Sequence, residues 1–310
     1  MLQRVLKIGT RDSQLAVWQA TLVQHQLKQH GIESELVYIR SEGDIDTVTP
    51  LYELGVQGVF TRSLDAALLD NRIDIAVHSM KDVPTILAKG ITQAAVLPRA
   101  SYKDIFVYKG DASFLDDRNG VATIATSSIR RIAQWLHRYP NHRIENLRGN
   151  VNTRLRKVAS EDWNGAIFAA AGLERINLRP ESSVDLDWML PAPAQGAIMI
   201  VCRQDDAAAS AACAPLNDVH TALCTRAERD FLRTLLGGCS TPISALAEIR
   251  DGYIHLRGNI VSPDGKKLVE VERSMDINNA AELGMAAAKD ILEKGGNAIV
   301  AMLKQKAQDQ

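Results

Sequence analysis

Between Arg130 and Lys157 stand eight basic residues, Arg130, Arg131, Arg138, Arg143, Arg148, Arg154, Arg156 and Lys157, against a single acid, Glu145. The whole chain has a formal net charge of only −1, so this local excess of +7 needs something anionic beside it. The arginines cluster with turn and cap residues, in Thr126-Ser127-Ser128-Ile129-Arg130-Arg131 and in Leu147-Arg148-Gly149-Asn150. A guanidinium binds carboxylate or phosphate through a planar two-toothed fork that lysine cannot copy. The charge sits at turns rather than along one helix face, and only Trp135 and Tyr139 interleave it with aromatics. That favours a discrete carboxylated or phosphorylated small molecule over nucleic acid.

Two further groups could do chemistry. His78-Ser79-Met80-Lys81-Asp82-Val83-Pro84 follows a strand-like run, and in open α/β sheets ligands bind beyond the carboxyl ends of strands. Lys81 beside Asp82 offers a cation and an acid/base there, although a solvated turn stopped by proline would look the same. Cys239, in Gly237-Gly238-Cys239-Ser240-Thr241-Pro242, lies on a constrained loop where a thiol can be presented to a ligand. Buried, inert cysteines are the commoner case, and Cys202, Cys213 and Cys224 carry no such signal. No Walker loop, G-x-G-x-x-G fingerprint or metal-ligand spacing is present, so no metal is expected.

The elements that must position these residues alternate. Val5 to Thr10 predicts a strand, and Ser13 caps a helix whose apolar face is Leu15, Trp18, Leu22, Val23 and Leu27. Strands are expected at 35–39 and 73–77, with a helix at 60–69 between them. The pattern restarts after Pro98 with strands at 104–108, 121–125 and 166–169 and helices at 129–138 and 150–159; a strand at 198–201 closes it. This alternation argues for parallel βαβ units. Each half runs a strand into a Thr/Ser-rich turn and then a helix, at Thr10-Arg11-Asp12-Ser13 and at Thr126-Ser127-Ser128, so each offers an anion site at a helix N-terminus. From about Asn217 the texture changes. A helix over 222–236, strand-like runs at 243–249, 253–260 and 268–273 around a Pro263-Asp264-Gly265 turn, and a helix over 280–294 make a small α+β unit, with a tail from Lys304 expected to fray.

Composition bounds the class. At 310 residues, 46% apolar and 24% charged, the chain reads as an ordinary globular protein. Arg4 and Lys7 break any signal-like apolar run, no stretch could cross a bilayer, and four well-separated cysteines suit a reduced, cytoplasmic protein.

Seven segments in register resemble the porphobilinogen deaminase (hydroxymethylbilane synthase) family over residues 8 to about 260. They are Gly9-Thr10-Arg11-Asp12-Ser13-Gln14-Leu15-Ala16, His78 to Pro84, Thr126 to Arg131, Leu147-Arg148-Gly149-Asn150-Val151, Ala171-Gly172-Leu173-Glu174-Arg175, Gln195-Gly196-Ala197 and Gly237-Gly238-Cys239. The resemblance implies an α/β fold of two lobes like type II periplasmic binding proteins, crossed twice by the chain, plus a small α+β C-terminal domain. The boundaries expected are 1–98 with 197–216, 99–196, and 217–310. It implies one dipyrromethane cofactor per chain, joined to Cys239 by a thioether, to which four porphobilinogen units are added head to tail with loss of ammonia before hydroxymethylbilane is released. Lys81, Asp82, Ser13, Thr126, Ser127, Ser128, Arg130, Arg131 and Arg148 match cofactor-binding positions. Arg11, Arg148, Arg154, Arg175, Gln195 and Phe60 match substrate-binding ones. Asp82 carries over as the catalytic carboxylate, held against pyrrole N–H groups to stabilise a cationic azafulvene and move protons. A cytoplasmic monomer without nucleic-acid or membrane partners is expected.

Departures from the family pattern are Gln57, Arg62, Ser63, Ala125 and Ala194, the last two where glycine is common. They bear on rate and loop motion, while every charged group assigned a role is retained. Two other readings stay open: a non-catalytic two-lobed protein that binds a carboxylated small molecule, and an inactive paralogue that binds the pyrrole chain. Turnover of porphobilinogen separates both from the enzyme.

Overall fold

The computed structural model describes residues 5–40, 61–235 and 241–308, with side chains as far as 305. Strand β1 (Leu6–Thr10), helix α1 (Gln14–Gln29), β2 (Ser34–Tyr38), α2 (Arg62–Leu69) and β3 (Ile75–Ser79) follow in chain order, and β1 pairs in parallel with both β2 and β3. Next, β4 (Ile91–Val96) leads into the first crossover and β5 (Asp104–Tyr108). Strand β6 (Thr123–Ala125), α3 (Ile129–Arg138), β7 (Arg143–Glu145), α4 (Val151–Ser160), β8 (Gly165–Ala169), α5 (Ala170–Glu174) and β9 (Ser183–Asp185) build the second lobe. The chain then crosses back into β10 (Ile198–Arg203) and α6 (Ala207–Cys213).

The two sheets are organised alike, in the orders β2-β1-β3-β10-β4 and β7-β6-β8-β5-β9. Each has four strands running one way and a single reversed strand, β10 or β5, paired antiparallel with both its neighbours. The expected parallel βαβ units are present, and each sheet adds one reversed strand to them. In each sheet the strand arriving from the other lobe, β5 or β10, enters from the opposite end and so pairs antiparallel. Strand β10 lies inside the sheet between β3 and β4 and is apolar on both faces. Ile198, Ile200 and Cys202 join the core under α1 and α6, while Met199 and Val201 join the core under α2. Trp135 of α3 and Tyr139, the residue that follows the helix, are buried inside the second lobe against Phe106 and Ile167.

The third unit is the helix α7 (Val219–Leu235), an antiparallel meander of β11 (Ile243–Arg250), β12 (Tyr253–Val261) and β13 (Leu268–Asp276), then α8 (Leu283–Ile291) and α9 (Asn297–Gln308). Helices α7 and α8 cover one sheet face, with Phe231, Leu256 and Ile291 inside. The last helical stretch runs further than the expected 280–294. It kinks at Gly295, whose φ is +102°, and continues because Ile299 and Val300 pack into the same core.

Candidate functional site

The charged groups gather where strands end. Arg11 follows β1. Lys81 and Asp82 form a single 3-10 turn, Met80–Asp82, directly after β3, and Thr126 to Ser128 follow β6. Met80 and Val83 are buried and anchor the turn, and the Met80 N–H donates to Ala197 O at 3.0 Å. The intervening Asp82 is exposed, and its carboxylate makes no hydrogen bond to a described residue. An exposed carboxylate on a rigid turn is free to meet a ligand's N–H groups.

Behind it lies a buried charge hub centred on Asp104, the first residue of β5 and 0% exposed. Arg131 donates from Nε and Nη2 to Asp104 Oδ1 at 3.1 and 2.7 Å and from Nη1 to Ile167 O at 2.9 Å. Arg130 Nη2 lies 2.7 Å from Asp104 Oδ2, and its Nη1 donates to Leu190 O at 2.8 Å. Its Nε is buried with no hydrogen-bond partner. Gln195 completes the hub: Nε2 donates to Asp104 Oδ1 at 3.0 Å and to Tyr102 O at 2.7 Å, and Oε1 accepts from Lys81 Nζ at 3.3 Å. Burial alone would raise the Asp104 carboxyl, but Arg130, Arg131 and Lys81 override it and hold it at about 2. Burial pushes Lys81 down to about 8, only partly offset by Asp82 and Asp104 and aggravated by Arg131 and Arg130.

Arg154 and Arg175 are held below their ordinary range by burial. Arg154 donates from Nε to Gly149 O at 2.8 Å, and burial together with nearby Arg131 and Arg148 lowers it to about 10. Arg175 donates to Gly196 O at 2.7 Å, sits 5.8 Å from the centre of the Trp18 ring, and is lowered to about 10 by burial. Arg148 is buried and close enough to Arg154 to help lower it. The local geometry follows from Gly149, at φ +105°, and Asn150, whose side chain accepts from Thr153 N at 2.9 Å and so starts α4. Across the cleft mouth Asn152 Nδ2 donates to Gln14 Oε1 at 2.9 Å, linking the two lobes.

Several expected residues take a different place. Gln195, expected at the substrate, is 1% exposed and has its amide committed to the hub. Ser127 Oγ accepts from Leu147 N at 2.9 Å and braces the loop before Arg148. Thr126 Oγ1 accepts from Ser128 N at 3.3 Å. Ser13 and Ser128 stand at N-cap positions without side-chain cap bonds. His78 is buried, and burial plus Arg11 push it down to about 4, so it is a neutral wall residue. Phe60, Cys239 and the departure at Gln57 lie outside the described residues. Sequence reading missed Asp104; its only local signal is an acid opening the apolar run Ile105-Phe106-Val107.

The described cysteines are poor nucleophiles. Cys202, Cys213 and Cys224 are buried; burial raises Cys202 and pushes Cys213 and Cys224 up to about 12. No group of three or more metal-ligating side chains occurs among the described residues. None of the described helices is long and apolar enough to cross a membrane. What the cleft offers is an array of desolvated cations around one exposed carboxylate.

Comparison with known proteins gives this array a context. Residues 6–211 match the family described as porphobilinogen deaminase, dipyromethane cofactor binding domain, and residues 222–293 match porphobilinogen deaminase, C-terminal domain. The porphobilinogen deaminase of Syntrophotalea carbinolica is 41% identical over 307 residues, covering 98% of this chain and 97% of that protein. Among solved structures, a periplasmic substrate-binding protein of an ABC transporter from Coxiella burnetii is 12% identical with a TM-score of 0.45, over 70% of this chain and 94% of that one. The BvgS periplasmic VFT2 domain of Bordetella pertussis is 14% identical with a TM-score of 0.41, over 68% of this chain and 85% of that one.

Proposed function

The chain belongs to the porphobilinogen deaminase family, and from that premise we propose how its own residues divide the work. It is a transferase of heme and porphyrin biosynthesis, a hydroxymethylbilane synthase with porphobilinogen as substrate and dipyrromethane as cofactor. Each addition forms a carbon–carbon bond to the incoming aminomethyl carbon, breaks that carbon's bond to nitrogen and releases ammonia. A ring proton leaves, and water enters only at product release. When bound, the dipyrromethane supplies a tethered primer with a free ring carbon at which the next unit is joined.

The side chains present fit such a group. Four acidic arms on two rings call for several cations, and Arg154 and Arg175, lowered to about 10 by burial, are cations that carboxylates would relieve. The buried, unpartnered Nε of Arg130 points the same way. In our reading Lys81, Arg130, Arg131, Arg148, Ser13, Thr126, Ser127 and Ser128 hold the cofactor's acid arms. Arg11, Arg154 and Arg175, with Phe60, receive the incoming substrate, and Gln195 acts on both through Lys81. Cys239 carries the thioether. Asp82 faces the pyrrole N–H groups, stabilises the positive charge that develops as ammonia departs, and takes and returns the ring proton. The single observation that carries this reading is the exposed Asp82 set directly beside Lys81, within a ring of desolvated arginines.

The domain boundaries 1–98 with 197–216, 99–196, and 217–310 are supported by the pairing of β10 with β3 and β4. A cytoplasmic location is supported by Cys202, Cys213 and Cys224 as free thiols, and the family resemblance favours a monomer. Binding of nucleic acid is disfavoured because Arg130 and Arg131 turn inward to Asp104.

The test is the intact mass of the denatured protein before and after limiting porphobilinogen, with Cys239→Ser as control. The expected result is a two-pyrrole adduct and a ladder of one-pyrrole steps, both absent from the control. Unmodified protein in both samples would leave a non-catalytic binding protein of the same shape.

A further inference from the structure

Asp82 has no side-chain tether among the described residues, so its place depends on the backbone of its turn. On the inner side that turn is held by Met80 N donating to Ala197 O and by Val83 N closing onto Met80 O at 3.2 Å. On the outer side its carbonyls converge on one guanidinium from the third domain. Arg229 Nη1 donates to Val83 O at 2.9 Å and lies 3.4 Å from Met80 O, and Nη2 donates to Pro84 O at 2.6 Å. These carbonyls flank Asp82 on both sides. Arg229 follows Glu228 on α7, and Glu228 accepts from the Ala194 N–H of the second crossover and from Arg99 of the first. One helix of the third domain therefore grips the Asp82 turn and both crossovers with consecutive side chains.

Resting on the reading of Asp82 above, we infer that Arg229 is a positioning residue for the reaction, acting through Asp82 by tying down the carbonyls on either side of it. The planar fork reaches carbonyls in different directions at once, which an ammonium cannot do. Proton transfer and charge stabilisation are steep in distance, so a loosened turn lowers the chemical step while the arginines that bind substrate stay in place.

The experiment measures kcat and KM for porphobilinogen on cofactor-loaded Arg229→Met and Arg229→Lys, alone and combined with Asp82→Asn, with loading checked by intact mass. The single-turnover rate of the mass ladder reports the slow variants. Arg229→Met is expected to lower kcat about ten- to a hundredfold with KM within about twofold, and Arg229→Lys to fall between it and the parent. In the Asp82→Asn background the same substitutions are expected to change the rate less than about threefold, because a residue acting through Asp82 has nothing left to position. A folded, loaded Arg229→Met with unchanged kcat overturns the inference, and so does a full loss repeated in the Asp82→Asn background. Should Arg229→Met fail to fold, Arg229→Lys carries the same cycle, and additive losses there also overturn it. Normal turnover by Asp82→Asn alone would instead remove the Asp82 reading and this one with it.

Discussion

Gln195 donates from Nε2 to Asp104 Oδ1 at 3.0 Å while its Oε1 accepts from Lys81, so one buried amide links the cation at the cleft to the hub behind it. Tyr102 O takes the other N–H, which fixes which way the amide faces. Asp104 is thereby the shared counter-charge of Arg130, Arg131 and Lys81.

Asp104→Asn keeps the shape and removes the charge, leaving two buried guanidiniums without a carboxylate. Breaking a buried ion pair from one side costs about 3–5 kcal/mol, and urea unfolding should report a loss of that order. The pH dependence carries a second signature. The folded-state carboxyl is held at about 2, below its ordinary value, so its contribution is present above about pH 4 and lost as pH falls toward 2. The variant should lack that part of the acid loss. A variant as stable as the parent would show that Asp104 is not the hub.

Lys81 is lowered to about 8, chiefly by burial. A carboxylate brought against it favours the ammonium and raises the value. Porphobilinogen binding to Cys239→Ser protein should therefore take up a proton above about pH 8 and none near pH 6.5. Calorimetry in buffers of different ionisation enthalpy measures this, and Lys81→Met should abolish the uptake. Uptake that survives in Lys81→Met assigns the proton elsewhere.

Glu228 is 0% exposed and accepts from both terminal guanidinium nitrogens of Arg99, from the Ala194 N–H at 2.6 Å and from the Ala247 N–H at 2.7 Å. It ties both crossovers to the third domain. Glu228→Gln leaves Arg99, whose side chain is 12% exposed, without its anion and should cost about 3 kcal/mol in urea unfolding. The pair Glu228→Gln with Arg99→Gln should cost less than the sum of the single changes. Strict additivity would mean that the two are not coupled.

Ala194 and Gly196 should respond in opposite directions. Ala194 is buried at φ 62°, in the left-handed region that costs an L-residue about 1–2 kcal/mol, so Ala194→Gly should be neutral or stabilise by up to about 1 kcal/mol. Gly196 has φ +87°, and a Cβ there would lie 2.7 Å from Ser101 O and 2.8 Å from Ala100 O. Gly196→Ala should therefore lower the melting temperature by several degrees, because it forces the two crossovers apart. A lower melting temperature for Ala194→Gly would contradict the strain argument.

Local chemistry was legible in the sequence. The Ile129–Arg138 helix was expected after a strand and a Ser/Thr turn, and the Lys81-Asp82 pair was placed at a strand end by the strand-like run before it. The motifs in register carried the family, and with it the arginines of the cleft. What could not be read was which charges turn inward. Arg130 and Arg131, expected at the cofactor, are also paired with Asp104, 26 and 27 positions earlier in the chain. Arg229 finds Val83 across 146 positions, and Arg99 finds Glu228 across 129. The antiparallel pairing of β5 and β10 was likewise hidden, because strand direction depends on the end at which a crossover enters. Apolar periodicity says which face of an element is buried, but not what lies opposite it. A buried carboxylate and a solvated one are the same letter in the sequence, and only the packing of distant segments decides which charge must be neutralised from within and which is left to meet the substrate.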